Sequence, residues 1–159
     1  MRTAAAHAPG RTAGVCLYNA GMFQNPPLTE IAALLASVRV LAVVGLSPNP
    51  SRPSYGVARA LQNYGIRIIP VHPGGGEVLG ERACATLDEL PCPVDMVDVF
   101  RRPEHVASIV DDCIRLRLPR LWLQDGVVDT VAAARARAAG IMVVMDRCVL
   151  RDYHALCRQ

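Results

Sequence analysis

The residues best suited to chemistry lie together between Gly45 and Tyr55, in the segment GLSPNPSRPSY that follows the apolar run VLAVV. Gly45 would let a ligand approach the backbone, while Ser47, Ser51 and Ser54 offer hydroxyl donors. Arg52 is the cation of the stretch, and its planar fork of N–H groups pairs well with phosphate oxygens. Pro48, Pro50 and Pro53 stiffen the segment, so less conformational freedom is lost when something docks. An apolar strand, a glycine and a helix start form the arrangement by which parallel α/β proteins aim backbone amides at a phosphate. The same residues would also make a proline-stiffened surface turn; the hydroxyls and the guanidinium beside a helix start favour phosphate contact.

The other candidates follow later apolar runs. After RIIPV come His72 and Pro73, where proteins that bind NAD place an acid for the ribose hydroxyls, so this position argues against NAD. Glycines 74 to 76 and 80 follow that second run without opening a helix; they read either as a flexible turn or as a backbone surface along a nucleotide. Phe100 can wall an apolar or adenine pocket, and Arg101 and Arg102 suit either a phosphate or a solvated cap paired with Glu104. Gln124 offers a side-chain amide to a polar ligand. Asp146 and Arg147 read as a structural ion pair, and Cys148 as a buried or a reactive thiol. No GxSxG elbow, Walker lysine, HExxH or pair of acids on one helical face occurs, so no catalytic residues and no metal ligands are assigned.

These positions need a scaffold that brings strand ends together, and the pattern supplies one. Val40–Gly45, Arg67–Val71, Val94–Phe100, Leu121–Leu123 and Ile141–Met145 read as strands. Between and around them, a leading helix from Thr29, then Tyr55–Tyr64, Pro103–Leu116, Asp129–Ala139 and the closing VLRDYHALCR read as helices, with Leu87–Leu90 as a helical turn. Alternation of this kind predicts a doubly wound parallel sheet of five strands, Rossmann-like, in the order 3-2-1-4-5 with helices on both faces. Ligands of such sheets lie at the carboxyl ends of the strands, where the strand order reverses.

Composition bounds the rest. The chain has 159 residues, 52% hydrophobic and 19% charged, which suits one core-rich globular domain. Its net charge of +3 is too small to argue for a nucleic-acid surface, and its apolar runs are too short to span a bilayer. All 17 basic residues are arginines, so a lysine nucleophile or Schiff base is excluded. Six cysteines at irregular intervals, with no CxxC pair, suggest reduced thiols and a cytoplasmic protein. The first 21 residues lack acids and helical or strand period; residues 1–27 are expected to be a flexible extension and 28–159 the folded domain.

Taken in order, GLSPNPSRPSYGVARAL, IIPVHPGGGEVLGERACATLDELP, VDMVDVFRR, LWLQDGVV and VVMDRC closely resemble the small stand-alone CoA-binding domain family. Its members are similar to the CoA-binding Rossmann domain of the succinyl-CoA synthetase alpha subunit. The resemblance implies coenzyme A or an acyl-CoA as ligand, with its phosphates on Gly45, Ser47, Ser51, Arg52 and Ser54, and Tyr55 at the helix start beside them. It implies that Pro73 and Gly74, with Val99, Phe100 and Arg101, flank the adenine end, and that Gln124 lies near the remaining arm. The larger synthetases carry a phosphorylated histidine on a following domain that has no counterpart in this sequence. The expected function is therefore non-catalytic binding of the cofactor, alone, as a homodimer, or as one half of a split acyl-CoA synthetase. An NADP-dependent oxidoreductase using Arg52 or Arg101 is the alternative enzyme reading.

Overall fold

A computed structural model describes residues 23–158. The strands of the large sheet are short, mostly apolar runs, and α2 and α4 start where a proline or a capping side chain favours it. Helix α1 (Leu28–Ser37) buries Ile31, Leu34 and Leu35 on one stripe. Strand β1 (Val40–Val44) leads through the Gly45–Arg52 loop into α2 (Pro53–Asn63), whose first residue is a proline, tolerated there because that N–H has no helical partner. Strand β2 (Arg67–Val71) follows, then a small antiparallel hairpin of β3 (Glu77–Val78) and β4 (Glu81–Arg82). Next come β5 (Met96–Val99), α3 (Val106–Arg115), β6 (Arg120–Leu123), α4 (Thr130–Ala138), β7 (Met142–Val144) and α5 (Val149–Cys157). Short 3-10 turns at Leu87–Glu89 and Pro103–His105 precede β5 and α3. The Asp129 side chain caps α4 by accepting from the Ala132 amide at 2.9 Å.

The large sheet is parallel throughout, in the order β2-β1-β5-β6-β7. One face packs on α3 and α4 through Val97, Val99, Val106, Val110 and Ala133; the other packs on α1, α2 and α5 through Leu41, Val43, Trp122, Ala58 and Val149. This is the expected doubly wound Rossmann-like architecture. Strand order is the correction: numbered by the five large strands it is 2-1-3-4-5, not 3-2-1-4-5. The third large strand, β5, lies between β1 and β6 with all four residues buried. It is pinned beside β1 instead, where the Asp95 carboxylate accepts from the Arg39 and Val40 amides, each at 2.8 Å, and the Phe100 amide donates to Val44 O. At the outer edge of β2, the Cys84 amide donates to Pro70 O and its carbonyl accepts from the His72 amide.

Two smaller differences bear on the site. The glycine-rich stretch after β2 is a hairpin, turned at Leu79 and Gly80 with φ of 55° and 78°. Positive φ at both central residues matches the right-handed twist of the flanking strands. In front of residue 28, Asn25 donates to Met145 O and accepts from the Met145 amide, at 2.8 and 2.7 Å. The remainder of the expected extension lies outside the described residues. Among the described residues, no helix is long and apolar enough to cross a membrane.

Candidate functional site

The chain leaves β1 towards β2 on one side and returns to β5 on the other, so the reversal of strand order lies between the carboxyl ends of β1 and β5. Gly45 and Phe100 meet there. Gly45 has φ of 84°, and a Cβ at that position would lie 2.8 Å from Phe100 O and 2.9 Å from Arg101 Cδ. The glycine is therefore required by the close approach of the two strand ends. Its amide is committed to the sheet, donating to Val71 O at 2.8 Å.

The loop from Ser47 to Ser54 is held by its own polar groups. The Ser47 amide donates to Ser54 Oγ at 3.1 Å, the Asn49 amide to Ser47 Oγ at 3.1 Å, and the Ser51 amide and hydroxyl both to Asn49 Oδ1, at 3.0 and 2.6 Å. The Arg52 amide donates to Asn49 O. Ser54 is buried, so its hydroxyl acts as an internal fastener; Ser47 is half-buried, and Ser51 and Arg52 are exposed. Asn49, whose side chain organises the turn, was not among the sequence candidates, although an asparagine between two prolines signals an Asx turn. Tyr55, half-buried, packs into the core beneath the start of α2.

Two arginines border the crevice. Arg52 caps α2 with an extended backbone and Arg101 lies two residues past β5; among the described residues neither belongs to an ion pair. Arg102, by contrast, faces Glu104 at 4.0 Å, the solvated alternative considered for it. Helix α2 has no acid in its first turn, so the positive end of its dipole is not offset there.

The corrected strand order separates two groups of candidates. Pro73 and Gly74 lie past β2 and Phe100 and Arg101 past β5, on opposite sides of β1, with Val99 buried in the sheet. Gly74 donates to His72 Nδ1 at 3.0 Å, and a Cβ on it would lie 2.6 Å from the His72 ring, so its missing side chain makes room for that histidine. Gln124 is buried and its Nε2 donates to Asp98 Oδ1 at 2.8 Å. Asp98 was overlooked in the sequence although it stands as an acid inside the apolar run MVDVF. It is 0% exposed, and burial pushes its carboxyl up to about 7 even though the Gln124 amide and the Val99 N–H favour the charged form.

Past β7, Asp146 and Arg147 do not pair with each other. Asp146, at φ of 58°, accepts from the Gly126 amide, and Arg147 grips the buried carboxylate of Asp152 on α5. Cys148 is half-buried in front of α5. Surface clefts of about 350 and 410 Å³ lie at the other rim, next to residues that precede strands: Val38, Arg39, Gly65 and Ile66 line the first, Pro119 and Ile141 the second. They are remote from the strand-order reversal, where parallel sheets present their ligand-binding loops. Among the described residues no group of three His, Cys, Asp or Glu side chains is placed to hold a metal ion.

Residues 39–154 match the family described as CoA binding domain. YneT of Bacillus subtilis (strain 168) is 39% identical over 126 residues, which are 79% of this chain and 93% of that protein. The structure of cell-free ID.343 from Thermus thermophilus superposes with a TM-score of 0.79 at 37% identity, covering 82% of this chain and 99% of that one. A fold of the same kind, at a TM-score of 0.60 and 21% identity, occurs in dinucleotide-forming acetyl-coenzyme A synthetase 1 of Ca. Korarchaeum cryptofilum, covering 68% of this chain and 26% of the longer one.

Proposed function

The chain belongs to the CoA binding domain family, and from that premise we propose that it binds coenzyme A or an acyl-CoA without transforming it. The diphosphate lies against the Ser47–Ser54 loop and the start of α2, with Arg52 on one side of the crevice and Arg101 on the other. The observation that carries this reading is the loop itself. Its serine and asparagine groups already hold one conformation, so little order is left to impose, and two guanidiniums stand at its borders without a carboxylate partner among the described residues. An anion placed there gains charge-assisted hydrogen bonds and the favourable end of the α2 dipole. Pro73 and Gly74 approach such a ligand from the β2 side, and Phe100 from the β5 side. The residues at the crevice do not assemble a nucleophile, a base and an orienting group, which supports binding over catalysis. We place the protein in the cytoplasm, where its thiols stay reduced; Cys84, Cys92, Cys113, Cys148 and Cys157 are all unpaired.

Calorimetry and thermal unfolding test the reading. Coenzyme A at a hundredfold excess over its Kd raises stability by about 2.7 kcal/mol, on the order of 10 °C in Tm for a domain of this size. Absence of both heat and shift refutes it. NADPH protecting better than coenzyme A would favour an oxidoreductase. A second reading, in which the chain is the cofactor-holding half of a split synthetase, draws on the longer synthetase chain that contains a fold of this kind. It requires acyl-CoA formation to appear only when a partner subunit is added.

A further inference from the structure

Among the described residues, the side-chain atoms sealed from solvent without a hydrogen-bond partner are His72 Nε2 and Asp98 Oδ2. The binding reading gives the aspartate no task. It sits on the sheet face that α1, α2 and α5 cover, in one row with Val43 and Trp122, and two residues before Phe100 at the crevice. One carboxyl oxygen accepts from Gln124 Nε2 at 2.8 Å and the other has no partner among the described residues. A buried acid with one oxygen unmatched is costly to ionise.

The charged groups around it do not relieve that cost. On the covering helices, Glu30, Arg59, Arg151 and His154 are exposed, and Tyr64, Tyr153 and Cys157 line the cleft at the amino-terminal rim. Towards the crevice stand Tyr55 at the start of α2 and Arg147, Cys148 and Asp152 at the start of α5, where Arg147 and Asp152 neutralise each other. On the strands to either side, its neighbours in register are Val43 and Trp122. Burial therefore dominates, opposed by the Gln124 amide and the Val99 N–H, and pushes the carboxyl up to about 7.

We propose that Asp98 couples occupancy of the crevice to uptake of a proton, its carboxyl being neutral while an anionic ligand is bound and ionised more of the time when the crevice is empty. The inference rests on the coenzyme A reading of the site, and needs only that the diphosphate lie at the strand ends, whichever way the rest of the ligand points. Two residues of strand, about 7 Å, separate Asp98 from Phe100, so a diphosphate there comes within on the order of 10 Å of the carboxyl. At that range a like charge still acts on a buried group, because little water lies between to screen it. Linkage is reciprocal: a ligand that favours the proton on Asp98 binds the protonated chain more tightly. Affinity is therefore full below about pH 7 and falls as pH rises above it.

Calorimetry of coenzyme A binding at pH 7.5, run in two buffers of different ionisation enthalpy, counts the protons taken up. The unaltered chain should take up roughly half a proton more than Asp98→Asn, and protons exchanged by the ligand's own phosphates cancel in that difference. The two chains should bind alike at pH 6 and diverge above pH 7, with the unaltered chain losing roughly fivefold more affinity by pH 8.5. Should Asp98→Asn fail to fold, the unaltered chain suffices: carbon-13 NMR of the Asp98 carboxyl should show its titration midpoint move to higher pH when coenzyme A is added. Equal proton uptake with parallel affinity profiles, or a midpoint that stays or moves lower, overturns the inference while the binding reading stands. Failure of the unaltered chain to bind coenzyme A overturns both.

Discussion

Replacing Asp98 with asparagine should flatten the pH dependence of stability. The side chain keeps its shape and its acceptor for Gln124, so the substitution removes the ionisation and little else. The carboxyl has an ordinary value of 3.8 and is pushed up to about 7 in the folded chain, so folding binds a proton between these limits. The folded-state value lies above the unfolded one for an acid, so stability from this group is fully present below about pH 4 and lost as pH rises through 7. The loss follows a slope of about 1.4 kcal/mol per pH unit and reaches about 4 kcal/mol by pH 8. Asparagine carries no such loss. Urea unfolding of both chains from pH 4 to pH 8, without ligand, measures the difference, in which contributions of other groups cancel. The stability of Asp98→Asn relative to the unaltered chain should climb with pH by about that amount. A difference that stays flat, or one that falls with pH, would show that Asp98 is ionised at little cost and that its burial is not the dominant influence on it.

Other perturbations read separate parts of the structure. Cys113 is 0% exposed and burial pushes its thiol up to about 12, so peptide mapping after maleimide treatment at pH 8 should find it unlabelled until the chain unfolds; labelling faster than global unfolding would contradict its placement. Gly45→Ala and Gly65→Ala both force alanine to positive φ, at 84° and 86°, but only the first meets backbone within 3 Å. Each should lose about 1 kcal/mol for conformation in denaturant titrations, and Gly45→Ala should lose clearly more; equal losses would mean that the β1 and β5 ends can part freely. Asp129→Ala should cost about 1 kcal/mol and Asp129→Asn much less, because the cap needs only an acceptor for the Ala132 amide.

Much of this architecture was legible because the signals are local. VLAVV, RIIPV and MVDV are mostly apolar runs of strand length, and Asp129 marks a helix start. The strand order was not, because the choice of side for β5 is made by a contact between distant residues, the Asp95 carboxylate with the Arg39 and Val40 amides. Nothing in the local pattern distinguishes that from a strand docking beyond β2. The hairpin at residues 77–82 was missed since its strands are two residues long, too short to show alternation.

At the site, the position of the loop and its arginines could be read from residue types, but the use of each polar group could not. Ser54 and Gln124 look like ligand donors in sequence; in the fold Ser54 Oγ accepts from the Ser47 amide and Gln124 Nε2 donates to Asp98 Oδ1. Gly45 looks like a phosphate contact, and the fold adds a packing requirement between two strand ends that the sequence did not show. These differences share a cause: a polar group near a strand end satisfies a neighbour first when that neighbour is buried, since an unpaired buried donor or acceptor costs more than an exposed one.

The most direct measurement is a crystal structure of the chain grown with coenzyme A. The ligand should lie across the carboxyl ends of β1 and β5, with its diphosphate within hydrogen-bond reach of the Ser47–Ser54 loop and the Arg52 guanidinium. Coenzyme A seated instead at the amino-terminal rim, in the cleft beside Val38, Gly65 and Ile66, would contradict the account.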